Sequence, residues 1–118
     1  MSNKILAVDD DDAILGLTRE SLQRAGFEVS VARTGKYALE LFEAIGHDLV
    51  ITDLTMPEMN GLQLIEEVLR ISPSTPTILF TTETKELDET DTSFVTKILA
   101  KPASPKQIAE AVRSLLPA

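Results

Sequence analysis

Five polar side chains directly follow short apolar runs in this sequence, and together they are the residue types that phosphoryl-transfer chemistry uses. Asp9 and Asp10 follow ILAV, Asp53 follows LVIT, Thr81 follows TILF and Lys101 follows ILA. Three carboxylates close together repel one another unless a cation lies among them. Because the expected ligands are oxygens with no His or Cys nearby, Mg²⁺ is the cation that this set predicts.

The same residues predict a reaction. A group carrying developing negative charge would be held by the metal, the Lys101 ammonium and the Thr81 hydroxyl, and such charge neutralisation is most of what phosphoryl transfer needs. Asp53, central among the candidates, is the expected nucleophile. Taken singly, each residue is equally well a loop carboxylate, a strand-end hydroxyl or a surface lysine. Their joint placement at strand ends favours a site.

The apolar runs predict the strands that position these residues. Unbroken runs suit strands covered on both faces of a parallel sheet, and they occupy residues 5–8, 49–52 and 77–80. The segment FEVSV, residues 27–31, alternates apolar and polar residues, which is typical of an edge strand. A fifth short strand is expected over residues 98–100.

Between the strands, apolar residues recur with helical spacing, so the chain is predicted to be α/β, with a five-stranded parallel sheet and helices on both faces. The expected helix ends are N-caps at Asp12, Thr34, Asn60 and Ser104, with Pro105 at a first helical position, and left-handed glycines at 26 and 46. Ligands of such sheets collect at the carboxyl ends of the strands, where the strand order reverses. The five polar groups should therefore meet at one edge.

The segment 83–93 interrupts this alternation of apolar strands and amphipathic helices. Its position predicts a fourth helix, but Leu87 is its only large apolar residue, so it has no apolar stripe with which to dock on the sheet. We expect this helix to be short or mobile.

Composition limits the remaining possibilities. A chain of 118 residues fits one domain, and the absence of cysteine excludes a disulfide framework or a thiolate site. A net charge of −8 argues against direct binding to nucleic acid or an anionic membrane. The first apolar run is too short for a signal peptide, so a cytoplasmic protein without membrane insertion is expected. His47, which has no partner in the sequence, is expected on the surface.

With these residues assembled, the chain resembles a response-regulator receiver domain of two-component signalling, of the CheY-like type. The matching motifs are ILAVDD (5–10), DLVITDLTMPEMNG (48–61), the position of Thr81 in ILFTTE, and AKP (100–102). They occur in the family's order, and the resemblance spans nearly the full length. It implies a single receiver domain over residues 1–118, with a flavodoxin-like sheet of order 2-1-3-4-5.

The resemblance also implies a phosphorylation site. Asp53 would accept a phosphoryl group from a sensor histidine kinase or a histidine phosphotransfer protein. Asp10, Asp53 and the backbone carbonyl of Thr55 would bind Mg²⁺ directly, with Asp9 acting mostly through water. A domain of this family catalyses its own aspartyl phosphorylation and dephosphorylation, and is not an enzyme of ordinary turnover.

Two further residues acquire roles from the resemblance. Lys101 would pair with Asp53 and then with the phosphoryl oxygens, and its peptide bond to Pro102 is cis in the family. Thr81 would be drawn towards the phosphoryl group and move the loop after its strand. The consequence would be a two-state surface that binds a downstream protein target. The chain is expected to act as a monomer.

The chain departs from the family pattern at two positions that bear on function. Ile98 stands where the family usually has Tyr or Phe, so an aromatic switch is not expected there. Thr82 stands where Ala or Gly is common, and we expect it to narrow access for small phosphodonors and for water. The polar segment 83–93 belongs to the usual output face, so that face is expected to be remodelled.

Two other functions share this residue pattern. A haloacid-dehalogenase-like phosphatase also uses an Asp nucleophile with Mg²⁺, but it needs a general acid two residues later, where this chain has Thr55. A pseudo-receiver, a binding module that is not phosphorylated, has the same fold. The complete set of strand-end residues argues against a pseudo-receiver, and the unusual segment 83–93 keeps it open.

Overall fold

Five parallel strands form the centre of the part of the chain that the structure describes. The computed structural model describes residues 3–84, 87 and 92–117. Its strands are ordered β2-β1-β3-β4-β5, which confirms the predicted order. Their bounds are β1 (Lys4–Val8), β2 (Glu28–Ala32), β3 (Leu49–Thr52), β4 (Thr77–Thr81) and β5 (Lys97–Ala100). The order reverses between β1 and β3, and the candidate carboxylates follow these two strands.

In the described part of the chain, four helices cover both faces of the sheet: α1 (Asp12–Arg24), α2 (Gly35–Ile45), α3 (Gly61–Ile71) and α4 (Pro105–Leu115). Side chains alternate between the faces along each strand. Ile5 and Ala7 of β1 therefore pack with α1 and α4, whereas Leu6 and Val8 pack with α2 and α3. Among the described residues, no helix combines the length and apolar character needed to cross a membrane.

Side-chain caps begin the helices where the sequence predicts them, with one exception. Thr34, Asn60 and Ser104 each accept an amide hydrogen bond at the start of their helices. The prediction of Asp12 as the cap of α1 is wrong, because Asp11 has the extended backbone and accepts bonds from the amides of residues 13 and 14. Asp12 lies in the first turn, where its charge favours the positive end of the helix dipole.

The expected helix over residues 83–93 cannot be compared with the structure in full, because residues 85–86 and 88–91 lie outside the described residues. The predicted left-handed glycines are confirmed, with φ of 96° at Gly26 and 75° at Gly46. The peptide bond between Lys101 and Pro102 is cis.

His47 lies in the interior, so its predicted surface position is wrong. It is 6% exposed, its ring stacks on Phe42, and a hydrogen bond of 3.0 Å joins its Nε2 to the hydroxyl of Ser30. Its Nδ1 is buried without a hydrogen-bond partner among the described residues. Burial lowers the pKa of His47 below its ordinary 6.5; the charge of Lys4 lowers it further, and Asp48 opposes both.

This burial predicts a pH-dependent stability. Because the folded pKa is below 6.5, the unfolded chain takes up the proton first as pH falls, so stability is lost below about pH 6.5. We expect His47→Gln to show a smaller loss between pH 7.5 and 5.5 than wild type, measured by urea unfolding. His47 is the chain's only histidine, so equal losses in the two proteins would contradict the prediction.

Candidate functional site at the carboxyl edge of the sheet

The parallel ladder brings Asp9 and Asp53 to one edge. Val8 and Thr52 are register partners in β1 and β3, so the residues that follow them emerge side by side. The Asp53 amide donates to the Val8 carbonyl at 2.9 Å, which extends the ladder into the site. The Asp9 amide donates likewise to the Ala32 carbonyl at 3.1 Å. The backbone therefore fixes both carboxylates before any side-chain contact is considered.

The Lys101 ammonium lies between these two carboxylates. Its Nζ donates to Asp9 Oδ2 at 2.8 Å and to Asp53 Oδ1 at 3.1 Å. It also lies 5.3 Å from the centre of the Phe80 ring, within the range of a cation–π contact. The exposed fractions of the Lys101, Asp9 and Asp53 side chains are 9%, 5% and 14%, so these charges are largely removed from water.

Backbone amides orient the same carboxylates. Asp9 Oδ1 accepts from the Asp11 amide at 2.9 Å, and Asp53 Oδ1 accepts from the Leu54 amide at 2.9 Å. Each side chain therefore has both an amide and an ammonium as donors, which limits its rotation. A carboxylate held in this way presents its remaining lone pairs in a fixed direction.

Burial and charge shift two pKa values at the site. Burial raises the pKa of Asp53; the hydrogen bond from Lys101 opposes this, and the charge of Asp9 adds to it. For Lys101, burial by itself acts to lower the pKa, but the hydrogen bonds and charges of Asp9 and Asp53 together outweigh it, so its pKa is raised. Lys101 therefore holds its proton more firmly than a free lysine, whereas burial disfavours the charged form of the Asp53 carboxyl.

The donor set fits a hard divalent cation. Asp9, Asp10 and Asp53 each offer a carboxylate oxygen, and these atoms lie within 4.8 Å of one another. Asp9 is buried, Asp53 is half-buried and Asp10 is exposed, so the cluster opens to solvent on one side. Among the described residues, Lys101 is the one cation that contacts this cluster, and it contacts Asp9 and Asp53, so negative charge is left in excess. Oxygen ligands of this charge suit Mg²⁺.

Thr81 ends β4 and Thr55 lies in the loop after β3, and Glu83 contacts both residues. Thr81 is 2% exposed, and its hydroxyl accepts from the Glu83 amide at 3.0 Å. The Thr55 hydroxyl donates to the Glu83 carboxylate, with distances of 3.4 and 3.3 Å to its two oxygens. Sequence reasoning gave Glu83 no role, and its position two residues after Thr81 was the only signal for this contact.

Gly61 allows α3 to begin against the backbone of Asp53. Its amide donates to the Leu54 carbonyl at 2.7 Å, and a Cβ at this position would lie 2.1 Å from the Asp53 carbonyl oxygen. No side chain fits in that space without moving the Asp53 backbone. Packing therefore requires a glycine at position 61, which lets the loop from Leu54 to Asn60 return to the backbone beside Asp53.

Gly61→Ala should consequently destabilise the fold and displace Asp53. We expect a loss of about 3 kcal/mol or more in the free energy of unfolding, because the added methyl would overlap the Asp53 backbone and press on the Leu79 side chain. Gly16→Ala is the matched control: nothing lies within 4 Å of a Cβ at Gly16, so alanine should stabilise α1 by roughly 0.5–1 kcal/mol. Urea unfolding measures both values, and equal stabilities of the two variants would contradict this packing.

Comparison with protein families gives a match over most of the chain. Residues 5–113 match the model of the response regulator receiver domain. Among curated proteins, the chain is 36% identical over 118 residues to the transcriptional regulatory protein SrrA of Staphylococcus aureus. The match covers 98% of this chain and 48% of SrrA, so the chain spans about half the length of the curated relatives it matches.

Solved structures give the same result. The chemotaxis protein CheY4 of Vibrio cholerae superposes with a TM-score of 0.93 at 32% identity, covering 98% of this chain and 100% of CheY4. The response regulator protein TrrA of Thermotoga maritima, solved in complex with Mg²⁺ and BeF, superposes with a TM-score of 0.90 at 31% identity. That match covers 98% of this chain and 100% of TrrA.

Proposed function

The chain belongs to the response-regulator receiver family of two-component signalling, and on that basis we propose that Asp53 is its phosphoacceptor. The phosphoryl donor is a phosphohistidine on a sensor histidine kinase or a histidine phosphotransfer protein. The observation that carries this proposal is the shared Lys101 ammonium, which contacts both Asp53 and Asp9 in a largely buried site. Residues 1–118 act as one receiver domain.

In the proposed step, a carboxylate oxygen of Asp53 attacks phosphorus and forms an O–P bond. The P–N bond to the donor imidazole breaks, and its electron pair returns to the imidazole nitrogen, which then takes up a proton. The burial that raises the pKa of Asp53 also removes water from its carboxylate. Lys101 is positioned to pass from the carboxylate to the new phosphoryl oxygens, because it already donates to Asp53.

Asp9, Asp10, Asp53 and the backbone carbonyl of Thr55 would hold Mg²⁺, which when bound supplies neutralisation of the charge that develops on the phosphoryl oxygens. TrrA, which was solved with Mg²⁺ and BeF, supports this assignment. The chain's own residues contribute position: the amides of Asp11 and Leu54 fix the Asp9 and Asp53 side chains. A carboxylate held in place loses little freedom as the bond forms.

The output of phosphorylation is a protein contact. Thr81 exchanges its bond with the Glu83 amide for one with the phosphoryl group, and this moves a loop that also contacts Thr55. The surface that changes lies around this loop and binds a downstream protein target. With a net charge of −8, the chain itself acts as a monomer and does not bind nucleic acid directly.

Intact-mass measurement tests the phosphoacceptor. After incubation with acetyl phosphate and Mg²⁺, wild type should gain one phosphoryl group, and Asp53→Asn should gain none. Glu58→Gln is the matched control, since it removes the same charge from the same loop outside the carboxylate cluster. EDTA should abolish labelling of wild type, because the excess negative charge would then repel the donor.

Two results would defeat this proposal. The first is equal labelling of wild type and Asp53→Asn, which would place the phosphoryl group elsewhere. The second is no labelling of wild type, or of a Thr82→Ala variant with a more open site, while CheY4 is labelled in parallel under the same conditions. That second result would favour a pseudo-receiver, a binding module without phosphorylation.

Thr82 is proposed to restrict access to the phosphoacceptor. It is exposed and directly follows Thr81, where the family commonly has a smaller residue. Thr82→Ala should therefore speed both labelling by acetyl phosphate and loss of the phosphoryl group by roughly fivefold, which corresponds to about 1 kcal/mol of activation free energy. Thr82→Ser, which removes only the methyl group, should give rates between those of wild type and Thr82→Ala. Unchanged rates in Thr82→Ala would exclude this role.

A further inference from the structure

An open groove lies outside β2, separate from the carboxylates that hold the proposed phosphoryl group. It has a volume of about 590 Å³ and lies between α1 and the start of α2. α1 contributes one stripe of side chains to it, and Tyr37 of α2, which is 49% exposed, forms the opposite wall. The residues that matter for its chemistry are Leu15, Gly16, Arg19, Val31, Arg33 and Tyr37.

Gly16 keeps this groove open. It lies inside α1, where glycine costs roughly 0.5–1 kcal/mol relative to alanine. Packing does not require the glycine, because nothing lies within 4 Å of the position that a Cβ would occupy. Its backbone conformation does not require it either, since φ at Gly16 is not positive. The missing side chain enlarges the groove at the expense of helix stability.

The groove is cationic on an acidic protein. The chain has 11 Lys and Arg against 19 Asp and Glu, yet two guanidinium groups and one carboxylate line this groove. Arg33 pairs with Asp12 at 2.9 Å, with both side chains well exposed, and such surface pairs contribute little free energy. Arg19 forms no ion pair with any residue in the described part of the chain. Arg19 is therefore available to a carboxylate, and Arg33 can exchange its weak surface pair with Asp12 for one.

The floor of the groove includes an unpaired strand edge. Among the described strands, β2 pairs only with β1. The Glu28 amide and the Ala32 carbonyl make hydrogen bonds on the β1 side, and backbone groups alternate in direction along a strand. The backbone groups of Val29 and Val31 therefore point outward, and Val31 lines the groove. An added strand can pair with exposed groups of this kind.

We propose that this groove binds an extended acidic segment of a partner protein, which pairs with the free edge of β2 and places carboxylates on Arg19 and Arg33. Alternate side chains of such a segment point to the two walls of the groove. Apolar residues would then contact Leu15 and Tyr37, and the space left by Gly16 would accommodate them. Binding at this surface needs no phosphorylation of Asp53, so it stands apart from the proposed function.

Amide chemical shifts of the ¹⁵N-labelled full chain test this proposal. The probe is a pool of ten-residue peptides with Glu at alternate positions and mixed Val, Ile, Phe and Tyr between them, and the control pool has Lys in place of Glu. We expect saturable shifts at Gly16, Val29 and Val31 with the acidic pool alone. Arg19→Glu should weaken binding at least tenfold, whereas Arg113→Glu, with the same change in net charge on α4, should not.

Gly16→Ala separates binding from stability, because it should raise the unfolding midpoint and still weaken binding of the acidic pool at least threefold. The proposal is overturned if the groove amides do not shift with the acidic pool, or if the Lys pool gives equal shifts. It is also overturned if the Gly16→Ala and Arg19→Glu variants bind the acidic pool as tightly as wild type does. Inorganic pyrophosphate giving the same saturable shifts would also overturn it, since the groove would then be a general anion site.

Discussion

The fold brings one ammonium group into contact with two carboxylates that are remote from it in the sequence. Lys101 is 92 residues from Asp9 and 48 residues from Asp53. Burying such charges costs free energy unless they are paired, and removing one partner of a buried pair costs about 3–5 kcal/mol. The contact therefore requires β1, β3 and β5 to be in their observed order and register. An α/β sheet with this order supplies that arrangement through its hydrogen-bond ladder.

The ladder leaves the carboxylates with more negative charge than Lys101 balances, and this imbalance gives the site its chemical character. A structural ion pair would match its charges, whereas here three carboxylates lie together and one ammonium contacts two of them. The Leu54 amide and the Gly61 contact hold the Asp53 side chain and backbone in place. Rigid support and excess charge together suit a site that receives a divalent cation and then a phosphoryl group.

The strands and most helix ends were predictable from sequence because local signals determine them. Thr34, Asn60 and Ser104 act through hydrogen bonds to residues only three positions away. The strand ends also follow from apolar runs, which is why Asp9, Asp53 and Lys101 could be brought together without a structure. His47 was misplaced because its burial depends on Phe42 and on Ser30, which lies 17 residues away.

The contact of Glu83 with Thr55 was missed for the same reason. It joins loops that are 28 residues apart, and neither residue type indicates the pairing. The cap of α1 was missed on a finer scale: in a run of four aspartates, only the backbone conformation distinguishes Asp11, which accepts the amide bonds, from Asp12. In both cases the residue types show that a hydrogen bond is possible, and only the three-dimensional structure shows which residues form it.

Glycine illustrates the limit of residue type most directly. Gly61 and Gly16 are the same residue type, and both lie in helices, so the sequence alone does not distinguish their roles. A methyl group on Gly61 would contact the Asp53 carbonyl, so the fold itself requires that glycine. A methyl group on Gly16 would meet only open space beside Arg19 and the edge of β2. Packing and backbone conformation do not explain why residue 16 is a glycine. The stability that it costs α1 is explained by the space that it leaves in the groove for side chains of the bound segment.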